Sequence, residues 1–289
     1  MPKMNVDAER CTRCGHCALD CPASIFVQAT RDAVPGLEHP EFCIVCGHCV
    51  AVCPVDAIAH TDFPEGSVGP IDKALLPTAD QLLELIRGRR SLRVFKDKPV
   101  ERDKIEQILR AAYYAPTGHN CQSTEYIVVQ DPHVLKQLSV LAVDYLATMA
   151  RQLRNPVTRN LFRLIAKHEV EAGLAMLPEL DMFLEAAARG DLILHDAPCF
   201  IAFHARAGAL LGEINANLAL QNATLMADAL RLGTFYTGFI LGASKRDKRI
   251  PRLLGIPPGN RLFGGMTVGY PRFRFDNWID RRPAQVKWM

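Results

Sequence analysis

The chain lacks the features that mark several large protein classes. No apolar run approaches the roughly 20 residues that a membrane-spanning helix needs, and the opening MPKMNVDAERC has no apolar core of a secretion signal. The net charge of +3 is too small an excess to indicate nucleic acid as a partner. The sequence therefore predicts a cytoplasmic protein that binds neither membrane nor nucleic acid.

Common nucleotide-binding and hydrolase signatures are also missing. Neither G-x-G-x-x-G after a strand nor G-x-x-x-x-G-K-[ST] occurs, which disfavours a Rossmann or P-loop site. His119 and Cys121 alternate in a loop and give no nucleophile–base geometry. With 49% hydrophobic and 22% charged residues, the 289-residue chain is typical of a folded protein of about two domains.

The cysteines are concentrated at one end of the chain. Of ten, eight lie between Cys11 and Cys53, and only Cys121 and Cys199 follow. Without a secretion signal, such density indicates metal ligands before disulfides. We expect Cys199, in an apolar segment, to be a buried core thiol, and Cys121 to be a buried spectator thiol.

The eight cysteines form two runs of the pattern C-x2-C-x2-C-x3-C-P, the spacing of bacterial two-cluster ferredoxins. In that pattern three thiolates hold one [4Fe-4S] cluster and the fourth reaches the other. The predicted ligand sets are Cys11, Cys14, Cys17 and Cys53 for the first cluster, and Cys43, Cys46, Cys49 and Cys21 for the second. His16 and His48 each follow the glycine within a cysteine run, and we interpret them as solvent-facing loop residues that are not cluster ligands. Zinc is disfavoured because it would need paired C-x2-C knuckles. Residues 4–62 therefore resemble bacterial-type ferredoxins.

The rest of the chain is predicted to form one larger domain of α+β class. We expect a ferredoxin-like domain over 1–63, a Pro- and Gly-rich linker over 64–79 and the second domain over 80–289. Asp80 is predicted to cap its first helix, and another helix begins near Arg102. The stretch 133–190 is predicted to be helical with breaks at Pro156 and Pro178. The last long helix is predicted over 213–232, with its apolar face formed by Ile214, Leu218, Leu225, Ala229 and Leu232. Predicted strands cover 125–130, 199–204 and 262–270, and the segment 234–242 is predicted to form a strand or a strand followed by a turn.

A basic segment opens the second domain. Four arginines surround a hydroxyl: Arg87, Arg89, Arg90, Ser91 and Arg93. Arginine forks can grip a phosphate through paired hydrogen bonds. The alternative is a solvated basic loop.

Five segments in order resemble the nitroreductase family. They are Arg89–Phe95 (RRSLRVF), Ala115–Gln122 (APTGHNCQ), the helix and turn over 216–238, Gly269-Tyr270-Pro271 and Arg281-Arg282-Pro283. The resemblance implies an α+β flavoprotein that forms an intertwined homodimer with FMN at the subunit interface. It also implies FMN contacts by residue. The FMN phosphate and ribityl chain would be held by Arg89, Arg90, Ser91, Arg93 and Arg281. The flavin would be contacted from the partner subunit by Pro116, Thr117, Gly118 and Asn120. The flavin ring would be lined by Tyr236, Thr237 and Gly238.

The expected activity joins the two domains. Two [4Fe-4S] clusters would pass electrons from a low-potential donor to FMN, and FMN to a small organic acceptor such as a nitroaromatic or quinone. The chemistry is flavin-centred, so no catalytic side chain is assigned. Several family members carry an acidic residue where Thr237 stands, which leaves NAD(P)H use open. The alternatives are an NAD(P)H-dependent enzyme with peripheral clusters and a non-catalytic redox sensor or electron-transfer module.

Overall fold

The computed structural model describes residues 4–289. The chain divides into two compact units, each described by itself below. The first runs to Pro77 and includes Thr117–Cys121, and the second comprises Thr78–Pro116 and Gln122–Met289. The boundary at Pro77 falls inside the segment 64–79. The assignment of Thr117–Cys121 to the first unit was not foreseen from sequence. Cys121 was predicted to be buried, but it is exposed, because it ends the short surface turn over Gly118–Asn120.

The first unit is built from two equivalent halves. Strand β1 (Met4–Val6) pairs antiparallel with β4 (Ile58–His60), and β2 (Phe26–Val27) pairs with β3 (Gly36–Leu37). Each half contains one short helix, α1 (His16–Asp20) or α2 (His48–Val52), which includes the third cysteine of the run and ends just before the fourth. Gly15 and Gly47 begin these helices with φ of 76° and 75°, a left-handed conformation that glycine adopts without strain.

Within the described residues, the second unit is built on a four-stranded antiparallel sheet of order β5-β6-β8-β7. Its strands are β5 (Glu125–Val129), β6 (Cys199–Arg206), β7 (Gly233–Tyr236) and β8 (Asn260–Gly269). Successive side chains of β6 alternate between two cores: Ile201 and Phe203 join one, Phe200 and Ala202 the other. Both faces of the sheet are therefore buried, which explains the unbroken apolar sequence of β6.

Helices cover both faces of the sheet. On one face lie α4 (Arg102–Tyr113) and α8 (Gly212–Ala229), and on the other α5 (Pro132–Arg154), α9 (Gly238–Ser244) and α10 (Arg249–Leu253). Helices α6 (Pro156–Arg163) and α7 (Lys167–Ala187) pack with α5, and α3 (Ala79–Gly88) opens the unit. The predicted α+β class is confirmed. No helix of the described chain is long and apolar enough to cross a membrane.

Two predicted helix boundaries were wrong. Thr78, not Asp80, caps α3: its hydroxyl accepts from the Gln81 N–H and the Gln81 side chain accepts from the Thr78 N–H. This reciprocal pair satisfies two amides at the helix start. Helix α7 runs through Pro178 instead of breaking there. Pro178 is exposed, so water can reach the carbonyl that loses its helical partner.

Two further predictions were corrected by packing. Residues 238–242 begin helix α9 and do not extend strand β7, which ends at Tyr236. In α8, Ile214 and Leu218 are 55% and 41% exposed, while the buried face consists mainly of small residues: Ala216, Ala219, Ala223 and Ala227. Small side chains let the helix backbone lie close to the sheet. The size of the side chains, more than their hydrophobicity, therefore determines which face of α8 is buried.

Candidate cofactor sites

Each predicted set of four cysteines lines one cavity of the first unit. One cavity is lined by Cys11, Cys14, Cys17 and Cys53 together with Gly15 and Ile58. The other is lined by Cys21, Cys43, Cys46 and Cys49 together with Gly47 and His60. In both cavities the fourth cysteine of one run joins the first three of the other. The structure thus brings each set together, and their role as ligands stays a prediction.

Backbone amides face the cysteine sulfurs in the same way in both halves. In each half, the first cysteine of the run accepts the N–H of the residue two positions later. The fourth cysteine accepts the N–H of the residue four positions later. The donors are Arg13 to Cys11, Val45 to Cys43 and Ile25 to Cys21, each at 3.4 Å, and Ala57 to Cys53 at 3.2 Å. Amide donors stabilise anionic sulfur and tune cluster potential.

The cysteine environment fits clusters better than a single metal ion. Burial raises the pKa of Cys49 to about 11 and also raises that of Cys17, so these thiols need a bound cation to exist as thiolates. Among the described residues, no three His, Cys, Asp or Glu side chains lie close enough to hold one ion. Zinc gathers four ligands at one centre, whereas each cysteine around a cubane binds a separate iron and the sulfurs lie further apart.

The arginine segment of the second unit runs alongside strand β7. Ser91 forms a parallel bridge with Thr234, and the Leu92 N–H donates to the Thr234 carbonyl at 2.9 Å. Leu92 is buried with Phe235, whereas Ser91 and Arg93 are exposed. Strand alternation therefore turns the hydroxyl and the guanidinium away from the core, on the same side of the segment.

Aromatic rings and the charge of one carboxylate act on the arginines near this segment. Arg93 lies over the Phe235 ring with its guanidinium carbon 5.7 Å from the centroid. The half-buried Asp228 has its pKa raised by burial, and the charges of Arg89, Arg231 and Arg274 oppose that shift. The sequence analysis did not single out Arg231 or Arg274. The position of Arg274 shortly after Gly269-Tyr270-Pro271 was the available signal.

The end of β7 presents the residues predicted to line the flavin ring. Tyr236 is 41% exposed, and its O–H donates to the Asn217 side chain at 3.4 Å. Thr237 is buried, its N–H donates to the Gly265 carbonyl at 2.9 Å, and its Oγ1 has no hydrogen-bond partner. Gly238 opens α9, whose first turn has no side-chain cap. Because Ser91 pairs with Thr234, these residues and the arginine segment lie along the same strand.

The remaining predicted flavin contacts lie elsewhere. Arg281 lies in the exposed tail, where its N–H donates to Asp280, and the described structure gives it no contact with the arginine segment. Thr117, Gly118 and Asn120 belong to the first unit, whereas Pro116 belongs to the second.

Asn120 ties its segment to a cysteine loop. In a turn over Gly118–Asn120, its Nδ2 donates to the carbonyl oxygens of Val45 at 2.6 Å and Ile44 at 3.4 Å. Ile44 and Val45 lie between Cys43 and Cys46. A predicted flavin-contacting segment is therefore bonded to the loop of the second cysteine set.

These features define a redox protein that joins a two-cluster unit to an α+β cofactor-binding unit. The nitroreductase family model matches residues 86–270, and a 4Fe-4S dicluster domain matches residues 3–60. The chain belongs to the nitroreductase family. The predicted architecture and the oxidoreductase class are confirmed.

Curated relatives cover the second unit. A putative NADH dehydrogenase/NAD(P)H nitroreductase of Archaeoglobus fulgidus is 25% identical over 67% of this chain and 87% of its own length. An FMN reductase [NAD(P)H] of Bacillus subtilis is 25% identical over 68% of each chain.

Solved structures show the same fold. A nitroreductase with bound FMN from Bacteroides fragilis has a TM-score of 0.51 at 18% identity, covering 71% of this chain and 95% of its own. Another with bound FMN, from Desulfitobacterium hafniense, has a TM-score of 0.51 at 19% identity, covering 71% and 97%.

Proposed function

We propose that this chain transfers electrons from a low-potential donor through two [4Fe-4S] clusters to FMN, which reduces a small organic acceptor such as a nitroaromatic or quinone. When bound, FMN stores two electrons and delivers them as hydride or as electrons with protons. A homodimer with FMN between subunits and a cytoplasmic location are part of the proposal.

The residues of the second unit fit FMN. Arg93 and Ser91 are exposed on the same side of their segment, and Arg89 and Arg90 are partly exposed beside it. Guanidinium forks and a hydroxyl match the oxygens of a doubly charged phosphate. Thr237 offers a buried hydroxyl that has no hydrogen-bond partner among residues 4–289. These groups would bind and orient the cofactor, and the partner's copy of the 116–120 segment would cover it.

The observation that carries the electron route is the bond from Asn120 Nδ2 to the Val45 carbonyl. It ties a segment predicted to contact the flavin to the loop between Cys43 and Cys46. Electron transfer depends on a fixed, short separation between redox groups, and this bond fixes one end of that separation. Joining both units in one chain also raises the effective concentration of the donor at the flavin.

A second candidate is direct reduction of the flavin by NAD(P)H. It is favoured by the names of the relatives, two of which are NAD(P)H enzymes. Thr237, which replaces the acidic residue of several family members, argues for a different handling of the nucleotide.

The test begins with anaerobically purified protein. About eight iron, eight sulfide and one FMN per chain are expected. Flavin reduction is then followed by rapid mixing, with reduced ferredoxin in one series and NADH in another. A faster reaction with ferredoxin supports the relay, whereas rapid reduction by NADH alone supports the second candidate. Zinc in place of iron, or the absence of flavin, would sink the proposal.

Asn120→Asp tests the link itself. The carboxylate has no N–H to give and places negative charge against the Val45 carbonyl, while the left-handed backbone (φ 51°) is kept. We expect unchanged iron and sulfide content and an approximately tenfold slower ferredoxin-driven flavin reduction, which corresponds to about 1.4 kcal/mol in the barrier. His119→Asn is the matched control, because His119 is exposed and has the same backbone conformation (φ 52°). Equal rates in both variants would show that the bond has no part in the relay.

A further inference from the structure

The two halves of the first unit carry different polar side chains at one pair of equivalent positions. Their equivalent residues are 32 apart, since Cys43 follows Cys11 by 43 − 11 = 32. The backbone donors to sulfur repeat with this step, as described above. Position 28 of the first half corresponds to position 60 of the second, and the residues there are Gln28 and His60. His60 lines the second cavity, whereas Gln28 is not among the residues that line the first.

His60 lies at the end of β4 and lines the second cavity. Its side chain is only 1% exposed, and Nε2 lies 3.6 Å from Cys43 Sγ. The Asp62 N–H donates to Nδ1 at 3.1 Å. Because Nδ1 accepts a hydrogen bond, the proton of a neutral ring is on Nε2. Nε2 is thus a donor to the sulfur.

The imidazole is also fixed in orientation. Its ring centroid lies 4.9 Å from that of Phe63, at an interplanar angle of 57°. Phe63 in turn lies over Gly47, where a β-carbon would come within 3.0 Å of the ring. The only groups facing Nδ1 in the described contacts are the amide of Asp62 and its carboxylate, 3.6 Å away. This packing aims Nε2 at the sulfur.

Gln28 uses its amide differently. Its Nε2 donates to the carbonyls of Arg13, Ala33 and Arg31 at 2.9, 2.8 and 3.2 Å. These bonds hold the loop of the first half closed. In the part of the chain that the structure describes, Cys11 therefore receives the backbone N–H of Arg13 but no side-chain donor equivalent to His60.

We propose that His60 is a positioning residue that raises the reduction potential of the second cluster above that of the first. A hydrogen bond to a ligand sulfur stabilises the more negatively charged reduced cluster, which raises its potential. Electrons then collect on the cluster of Cys43, Cys46, Cys49 and Cys21, whose loop is bonded to Asn120. The inference rests on the proposed clusters and not on the flavin step.

The test is a redox titration of the full chain followed by electron paramagnetic resonance, after iron and sulfide have been counted. An iron content well below eight per chain would contradict the proposed function. A full iron content, with the same two potentials in His60→Leu as in the wild type, would contradict only the role of His60. The wild type is expected to show two distinct potentials. His60→Leu is expected to lower the higher one and leave the other unchanged, and His60→Gln, which keeps an N–H donor, is expected to restore it. His48→Leu removes an exposed histidine near the same cluster and is expected to change neither.

A second measurement uses the unaltered sequence, in case the Leu variant fails to assemble. Protein labelled with ¹⁵N only at histidine is examined by pulsed electron paramagnetic resonance as it is reduced. A ¹⁵N coupling is expected at the potential where the first electron enters, and the His48→Leu protein is expected to retain it. No ¹⁵N coupling, or a coupling that belongs to the lower-potential cluster, would overturn the proposal. Equal shifts of both potentials in His60→Leu would do the same.

Discussion

Leu92 and Gly233 provide a direct test of how the arginine segment is attached. A β-carbon at Gly233 would lie 2.3 Å from Leu92 Cδ2, 3.0 Å from Cβ and 3.1 Å from Cγ. A rotamer change alone could not remove all three overlaps. Gly233→Ala is therefore expected to destabilise the protein by about 1–3 kcal/mol through overpacking. Leu92→Ala leaves a cavity in the cluster with Phe95, Ala197 and Phe235 and is expected to cost about 2–5 kcal/mol.

The double variant decides the reasoning. Leu92→Ala removes Cδ2 and Cγ, so two of the three overlaps with a β-carbon at Gly233 disappear. We expect the double variant to be more stable than the sum of the single effects by about 1–2 kcal/mol, within the range for contacting residues. The assay is urea unfolding of the full chain followed by circular dichroism. Gly242→Ala is the control, since nothing lies within 4 Å of its β-carbon. Strict additivity would refute the contact.

Three further outcomes are expected. Arg93→Ala is expected to weaken FMN binding about 10- to 100-fold, because a charge-assisted hydrogen bond contributes about 1.5–3 kcal/mol. Arg102→Ala, at an exposed position, is expected to leave the FMN affinity unchanged. Flavin fluorescence titration measures both affinities, and equal values would contradict the role of Arg93 in binding the phosphate. Burial raises the pKa of Cys199 to about 12, so a thiol reagent at pH 8 should modify it only after unfolding, as mass spectrometry would show. Burial lowers the pKa of His204, so below about pH 6.5 the unfolded state binds more protons than the folded state, and the free energy of unfolding decreases as the pH is lowered. His204→Gln is expected to flatten this dependence of the unfolding free energy on pH. An unchanged dependence would contradict this origin.

Local chemistry was readable from the sequence wherever neighbouring residues carry it. The spacing of the cysteine runs places Cys21 with Cys43, and Cys53 with Cys11, before any coordinates are consulted. The helix from Arg102 and the apolar strand from Cys199 also lie where periodicity predicts them. In each case the deciding interactions join residues a few positions apart.

The wrong prediction for the buried face of α8, and the residues near the candidate site that the sequence did not reveal, depended on distant partners. In α8, Ile214 and Leu218 are the larger apolar residues, yet the sheet selects the alanine face because it allows closer approach. Asn217, which accepts the Tyr236 hydroxyl, and Arg231, which lies beside Asp228, have no local signature. Their neighbours come from other elements of the fold.

The sequence by itself determined which four cysteines line each cavity, the α+β class and the family, because these follow from short motifs in a fixed order. Only the tertiary structure decided that Asn120 bonds to the loop of Cys43, and that His60, rather than its counterpart Gln28, aims an N–H at a sulfur. Those choices depend on side-chain directions set by packing between residues far apart in the chain, and spacing along the chain carries no information about direction.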